Sequence, residues 1–138
     1  MGPLLAMRKA LYSALVNDSA LIALLGGTRI YASVPSATDP PYICFGLARV
    51  TLWNGGSQIG HKHYCVLDIW SLQGGDVEML ALADRINQIV LSGAVVPDGH
   101  HMLHCFIETV TAHPPRSDGW RQTALELAAL TEQQVSVS

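Results

Sequence analysis

Between Tyr64 and Ser71 the chain alternates: Cys65, Leu67 and Ile69 make one wholly apolar face, while Tyr64, Val66, Asp68 and Trp70 make a mixed one. A period of two is the mark of a strand with one face in a core, and here it leaves the other face undecided. Gly74 and Gly75 then break the run, and Asp76 stands where an N-cap carboxylate can accept from the open amides of a first helical turn. Beyond it Met79, Leu82, Ala83, Ile86, Ile89 and Val90 recur at three- and four-residue steps, with Glu78, Arg85 and Gln88 opposite. That pattern predicts an amphipathic helix covering one face of a sheet.

The same reading extends in both directions. Leu4, Met7, Leu11, Ala14 and Leu15 share a helical face from Pro3 to Asn17, with Pro3 suited to a first turn, where its missing N–H does no harm. Asp18 caps a second, short helix, Ser19 to Leu25, which Gly26 and Gly27 stop. Arg29, Ile30 and Tyr31 form a short extended piece, and Ser33 to Pro41 is a loop held open by Pro and Asp. Tyr42 to Leu52 is aromatic and β-branched enough for a strand, with Gly46 marking a bend, a bulge or a close backbone approach. Trp53 to Gly60 is read as a Gly-rich loop with apolar residues, a docking arm. Pro97-Asp98-Gly99 is a turn, and Met102 to Thr111 alternates, with Leu103, Cys105 and Ile107 on one side. Trp120 to Thr131 favours helix by propensity but alternates cleanly, and it is read as a strand because the strand before it needs an antiparallel partner. Residues 132–138 are expected to be a flexible tail. The sum is a single domain, 1–138: an α+β two-layer sandwich, with a four-stranded, mainly antiparallel sheet and the N-terminal and central helices on one face.

Composition changes this picture in one respect. Hydrophobic residues are 49% and charged residues 14% of the 138, against roughly 25% charged in an average soluble domain. So few charges leave surface that other chains must cover, as in an oligomer or assembly. The net charge of −3 argues against a basic nucleic-acid surface. Residues 1–62 carry five basic and two acidic residues, and the rest three basic and nine acidic. Three cysteines, each within an apolar run, read as buried thiols rather than a disulfide framework. Arg8 and Lys9 interrupt the apolar N-terminal stretch, which predicts neither a signal peptide nor a membrane span.

Candidate chemistry is thin. His61 and His63 share one strand face, and His100, His101, His104 and Cys105 open another strand. If those strands were neighbours, His61, His63, His101 and His104 would be ligands zinc accepts. Neither group has the short paired spacing of a zinc motif, and surface or interface histidines are the plainer reading, so no metal and no cofactor is expected. A Cys105–His63–Asp68 triple can be drawn, but three cysteines and six histidines generate such triples by chance. With no nucleophile elbow, phosphate loop or paired-acid motif, no catalytic residue is assigned. Asp68 is different, since a carboxylate between Val66 and Trp70 in mid-strand needs water or a cation. With Trp70 beside it as a potential anchor, the candidate interface is Trp53, Asn54, Gly55, Gly56, Ile59, Asp68 and Trp70.

The order of these signals resembles a known family. ALYSALVNDSALIALLGGTRIYASVP, then PPYICFG, then DIWS before a Gly-containing turn and ALADRI, is similar to the tail terminator, or tail completion, proteins of siphophages, prophages and gene transfer agents. The likeness runs from about Lys9 to Leu130, and Asp18–Leu21, Gly26-Gly27, Pro40-Pro41-Tyr42 and Trp70-Ser71 are its most specific parts. It implies a structural protein and no enzyme: a hexameric ring on the head-proximal end of the tail tube, which stops tube growth and gives the head-tail connector its binding surface. The implied partners are further copies of the chain, the major tail tube protein and the connector or stopper protein, in a virion assembled in the bacterial cytoplasm. DNA passes through the lumen without specific binding, and acidic walls suit that passage. Two alternatives stand beside it: another neck or head-completion connector, and a small His-based metal-binding enzyme.

Overall fold

Pro3 fills the first turn of helix α1 (Pro3–Val16), whose Met7, Leu11 and Leu15 are fully buried. The computed structural model describes residues 2–54, 58–72 and 76–134. Asp18 caps α2 (Ser19–Leu25) as its sequence predicts: the Leu21 amide donates to Asp18 Oδ2 at 2.9 Å, and Gly26 ends the helix at φ 77°. The same carboxylate takes a two-pronged contact from Arg85, Nε to Oδ2 at 2.8 Å and Nη2 to Oδ1 at 2.6 Å. Arg85 belongs to α3 (Asp76–Leu91), so one side chain caps one helix and clamps another. The hydrogen bonds from Arg85 hold the Asp18 carboxyl below the usual carboxylate range.

The sheet has the order β1-β2-β3-β5-β4. Two long hairpins supply most of it: β2 (Tyr42–Asn54) with β3 (Ile59–Leu72), and β4 (His100–Ala112) with β5 (Trp120–Gln133), joined by the antiparallel β3–β5 ladder. The sheet has five strands rather than the expected four. The piece around Ile30 is β1 (Ile30–Tyr31), paired parallel to Ile43 and Cys44 of β2. A two-residue strand carries too little alternation to be recognised; its place follows from the Ile43 amide donating to the Arg29 carbonyl at 3.0 Å.

The three helices lie on one face. Leu67 and Ile69 of β3, Leu125 and Leu127 of β5 and Ile43 of β2 meet Leu82, Ile86, Ile89 and Val90 of α3 and the buried stripe of α1 in one apolar cluster. Each such side chain contributes about 1.5–3 kcal/mol through the surface it removes from water. Burial in this layer, absent from any local propensity count, makes Trp120–Gln133 a strand: Thr123, Leu125, Leu127, Ala129 and Thr131 are all buried on the helix side. β5 lies between β3 and β4, so it satisfies ladders on both sides.

Four boundaries differ from expectation. β2 and β3 run on to Asn54 and back from Ile59, so Trp53, Asn54 and Ile59 are strand residues and not loop. β5 continues through Gln133, shortening the expected tail, whose residues 135–138 lie outside the described part. Asp76 is the first residue of α3 and not its cap, and its carboxylate meets Arg121 of β5; Gly74 and Gly75 lie outside the described residues. In β4 the ladder slips between Met102 and His104 and again between Ile107 and Thr109. The first bulge changes the phase, so Met102, and not Leu103, packs with Cys105 and Ile107 against the core.

Candidate interaction surface

With the three helices on one side, no layer covers the second face of the sheet among the described residues. Strand alternation dictates what it presents: Tyr64, Val66, Asp68 and Trp70 from β3, Gln122, Ala124, Glu126 and Ala128 from β5, and His104 and Phe106 from β4. The small Ala128, flanked by Tyr64 and Phe106, opens a shallow trough of about 440 Å³ bordered by Lys62, His104, Glu108 and Leu130. Tyr64 is held across it, its hydroxyl donating to Glu126 Oε1 at 2.5 Å while the Arg49 guanidinium lies 4.8 Å from the ring centre. That bond to a carboxylate pushes the Tyr64 phenol pKa up.

The candidate interface residues fall into two groups at opposite ends of β3, roughly 35 Å apart at ~3.3 Å per residue. At one end Asp68 is partnered within the chain, Gln122 Nε2 donating to its Oδ1 at 2.9 Å. Gly46 sits opposite, at a bulge between Phe45 and Ala48; a Cβ there would stand 3.1 Å from Asp68 Oδ2 and 3.3 Å from Val66 Cβ. This is the close approach its sequence context suggested. Trp70 packs edge-on to Trp120 at 6.2 Å, Trp120 to Tyr42 at 6.4 Å, and Arg116 lies 5.5 and 5.6 Å over the two indoles. The aromatic and the acid that looked available for a partner are largely engaged inside the chain.

At the other end, Trp53 lies across Gly60, its cross-strand neighbour, where any Cβ would collide with the indole. A ring covering a strand glycine is a local device that pins register. Leu52 and Ile59 are different: they share the helix side of the hairpin but extend past the helices, 70% and 50% exposed. Gly55 and Gly56 lie outside the described residues. Sequence reading missed Leu52 and Leu47 as exposed apolar positions. Leu52 sits inside a strand-like run and carries no signal of its own, while Leu47 is freed by the bulge that Gly46 did announce.

The histidines regroup as well. β3 and β4 are separated by β5, and strand phase divides their five histidines by face. His61, His63 and His100 point to the helix side, with ring centres 6.5 Å (His61–His63) and 5.8 Å (His61–His100) apart, whereas His101 and His104 are exposed on the open face. The quartet that neighbouring strands would have made therefore does not assemble. Among the described residues no group of three or more His, Cys, Asp or Glu is arranged to hold a metal ion. Cys105 and Cys65 are core thiols whose pKa burial pushes up, to about 12 for Cys105, the reverse of what a nucleophile needs. Cys105, His63 and Asp68 do not share a face, since Asp68 lies on the open side and the other two on the helix side. Among the described residues no helix is long and apolar enough to cross a membrane.

The features that stand out among the described residues are an open sheet face and an apolar hairpin end, which suit contact with other chains. The comparisons agree: the family model for "Tail completion protein gp17" matches residues 9–132, and the chain belongs to that family of phage tail structural proteins. Among solved structures, a chain of the "Virion of native gene transfer agent (GTA) particle" is similar, with a TM-score of 0.82 and 21% identity over 96% of this chain and 99% of that one. At that identity the likeness shows the fold. No curated protein matches the chain.

Proposed function

We propose that the chain is a tail terminator, a single functional domain that forms a ring, six-fold as in the resembled family, on the head-proximal end of a phage-like tail tube. The ring stops tube growth and offers the surface to which the head-tail connector binds, while DNA passes through its lumen without specific contacts. It works in the virion as a structural part, with no turnover chemistry, metal or cofactor. The observation that carries the reading is the family match over residues 9–132, joined to a sheet with one face uncovered among the described residues. The low charge and the exposed Leu52 and Ile59 support burial against other chains.

The interface assigned from sequence is refined accordingly. Trp53, Asn54, Gly55, Gly56 and Ile59 form the contact arm together with Leu52, and Asp68 and Trp70 present their remaining polar and aromatic edges at the far end of the open face. The first test is native mass by light scattering, with metal content read on the same sample. A ring of several subunits without metal supports the proposal, and a monomer carrying about one zinc per chain overturns it. Added to growing tail tubes, the protein should fix their length. Binding to portal but not to tube protein would favour the neck-connector alternative instead.

A further inference from the structure

The side chains that close the hairpin end of the core are the least expected in the molecule. Where β3 continues past Cys65, the helix side carries His63 and then His61, and the start of β4 brings His100 against them. His63 and His100 are each only 4% exposed. His63 Nε2 lies 3.1 Å from the Thr131 hydroxyl, while its Nδ1, like that of His61, is buried with no hydrogen-bond partner among the described residues. A neutral ring tolerates this, because a bare Nδ1 is only an unused acceptor. A protonated ring does not: it would hold an N–H donor and a positive charge against apolar walls, with a second imidazole 6.5 Å away.

Among the described residues, the neighbours of His61 and His63 bring no anion to either ring. On β3, Lys62 and Tyr64 project to the opposite face, as do Glu132 on β5, His101 and His104 on β4 and Arg49 on β2. Val50 and Leu52 stand across from His63 and His61 on β2, and Thr131 on β5 is a neutral hydroxyl. The α3 residues facing the core are apolar, Arg8 of α1 is engaged over Phe45, and Asp98 in the turn before β4 is exposed. The charges felt at His63 are those of His61 and His100, and both disfavour protonation.

We infer that His61 and His63, packed against His100, form an acid-sensitive latch: as neutral rings these two close the hairpin end of the core against the start of β4, and their protonation releases that end while the helix-covered end stays folded. Two placements make the opening local. The latch lies at the last rungs of the β3–β5 and β4–β5 ladders, where Gly60 pairs with Glu132 and His100 with Gln133. Beyond it the helices give no cover, as the exposure of Leu52 and Ile59 shows. Acid therefore frees the apolar arm described above, which couples the latch to any contact that arm makes.

The test is hydrogen exchange by NMR on the whole chain at pH 7 and pH 5, corrected for intrinsic rates, with imidazole titrations on the same sample. Burial and the neighbouring rings lower the His63 pKa from 6.5 to about 4. A ring neutral in the closed state and ordinary in the open state raises the opening constant roughly 20-fold between those pH values. The expected result is a loss of protection of that size at residues 59–63 and 100–102, with little change at 65–70. His63→Gln, which keeps a polar contact for Thr131 but cannot titrate, should flatten the dependence. His61→Gln, at a ring that burial also holds below the ordinary histidine range, serves in its place if the first variant does not fold. A His63 ring that titrates near 6.5 in the folded protein, or protection lost evenly along β3, overturns the latch.

Discussion

The two ends of β3 carry similar residues and put them to different use. At the Trp70 end an indole, an acid and a cation find one another within the chain: Trp70 and Trp120 under Arg116, and Asp68 with Gln122. At the Trp53 end the indole covers a glycine, and the apolar residues beside it, Leu52 and Ile59, are left in water. The difference comes from what lies behind each end. Near Trp70 the core face is filled by Ile69, Ile43 and Leu125 under the helix layer, whereas past Cys65 the helices give out and histidines take over. An aromatic in a half-polar strand is therefore not an interface by type; it becomes one only where the chain has nothing of its own to put against it.

Four substitutions separate the ends, taken from the largest expected effect. Leu67→Ala removes the fully buried centre common to both and should cost 2–5 kcal/mol in denaturant unfolding, roughly the range for Leu truncation in a core, lowering protection at both ends together. Gly60→Val acts at one end, driving a side chain into Trp53. A loss of about 1–3 kcal/mol is expected, with exchange faster at 59–63 and unchanged at Trp70, and a stability equal to wild type would show that Trp53 can swing aside at no cost. Arg116→Ala acts at the other. Losing a cation over two rings should cost about 1 kcal/mol, read as a small fall in Tm with native mass by light scattering unchanged. Leu52→Lys should leave stability within about 0.5 kcal/mol, as exposed sites do, yet weaken self-association or tube capping tenfold or more. A variant that still assembles at wild-type concentration would remove the arm from the proposed interface.

Acid sharpens the same contrast. With the His63 pKa lowered to about 4 from 6.5, the unfolded chain binds the proton first, so this group's contribution to stability is complete above pH 6.5 and falls away as the pH drops toward 4. The Asp18–Arg85 clamp has the usual carboxylate sign. Its lowered pKa means that its contribution persists through that window and is lost only in stronger acid. The histidine end should therefore loosen at a pH where the helix layer is still held.

Much of this molecule was written locally. The three- and four-residue spacing of α3, the Asp18 cap with its Gly26 stop, and the strict alternation of β3 and β5 each need only a few neighbouring residues to be recognised, because a helix or strand buries one face at a fixed period. The resemblance to tail completion proteins was legible for the same reason, being an ordered series of such short signals. Leu103 shows the limit: alternation assigned it to the core, and a one-residue bulge in β4 gave that place to Met102.

What the tertiary structure alone decided is which residues meet. β5 lies in the middle of the sheet rather than beside β4 only, and that one choice of neighbour placed His61 and His63 with His100 while turning His101 and His104 to the other face. Ladder pairing also gave Asp68 to Gln122. The physical reason is range. Period and capping are settled by contacts a few residues apart, whereas strand order and the register between distant strands are settled by burying a common core between segments far apart in the chain, 54 residues for Asp68 and Gln122 and 68 for His63 and Thr131, beyond any local window.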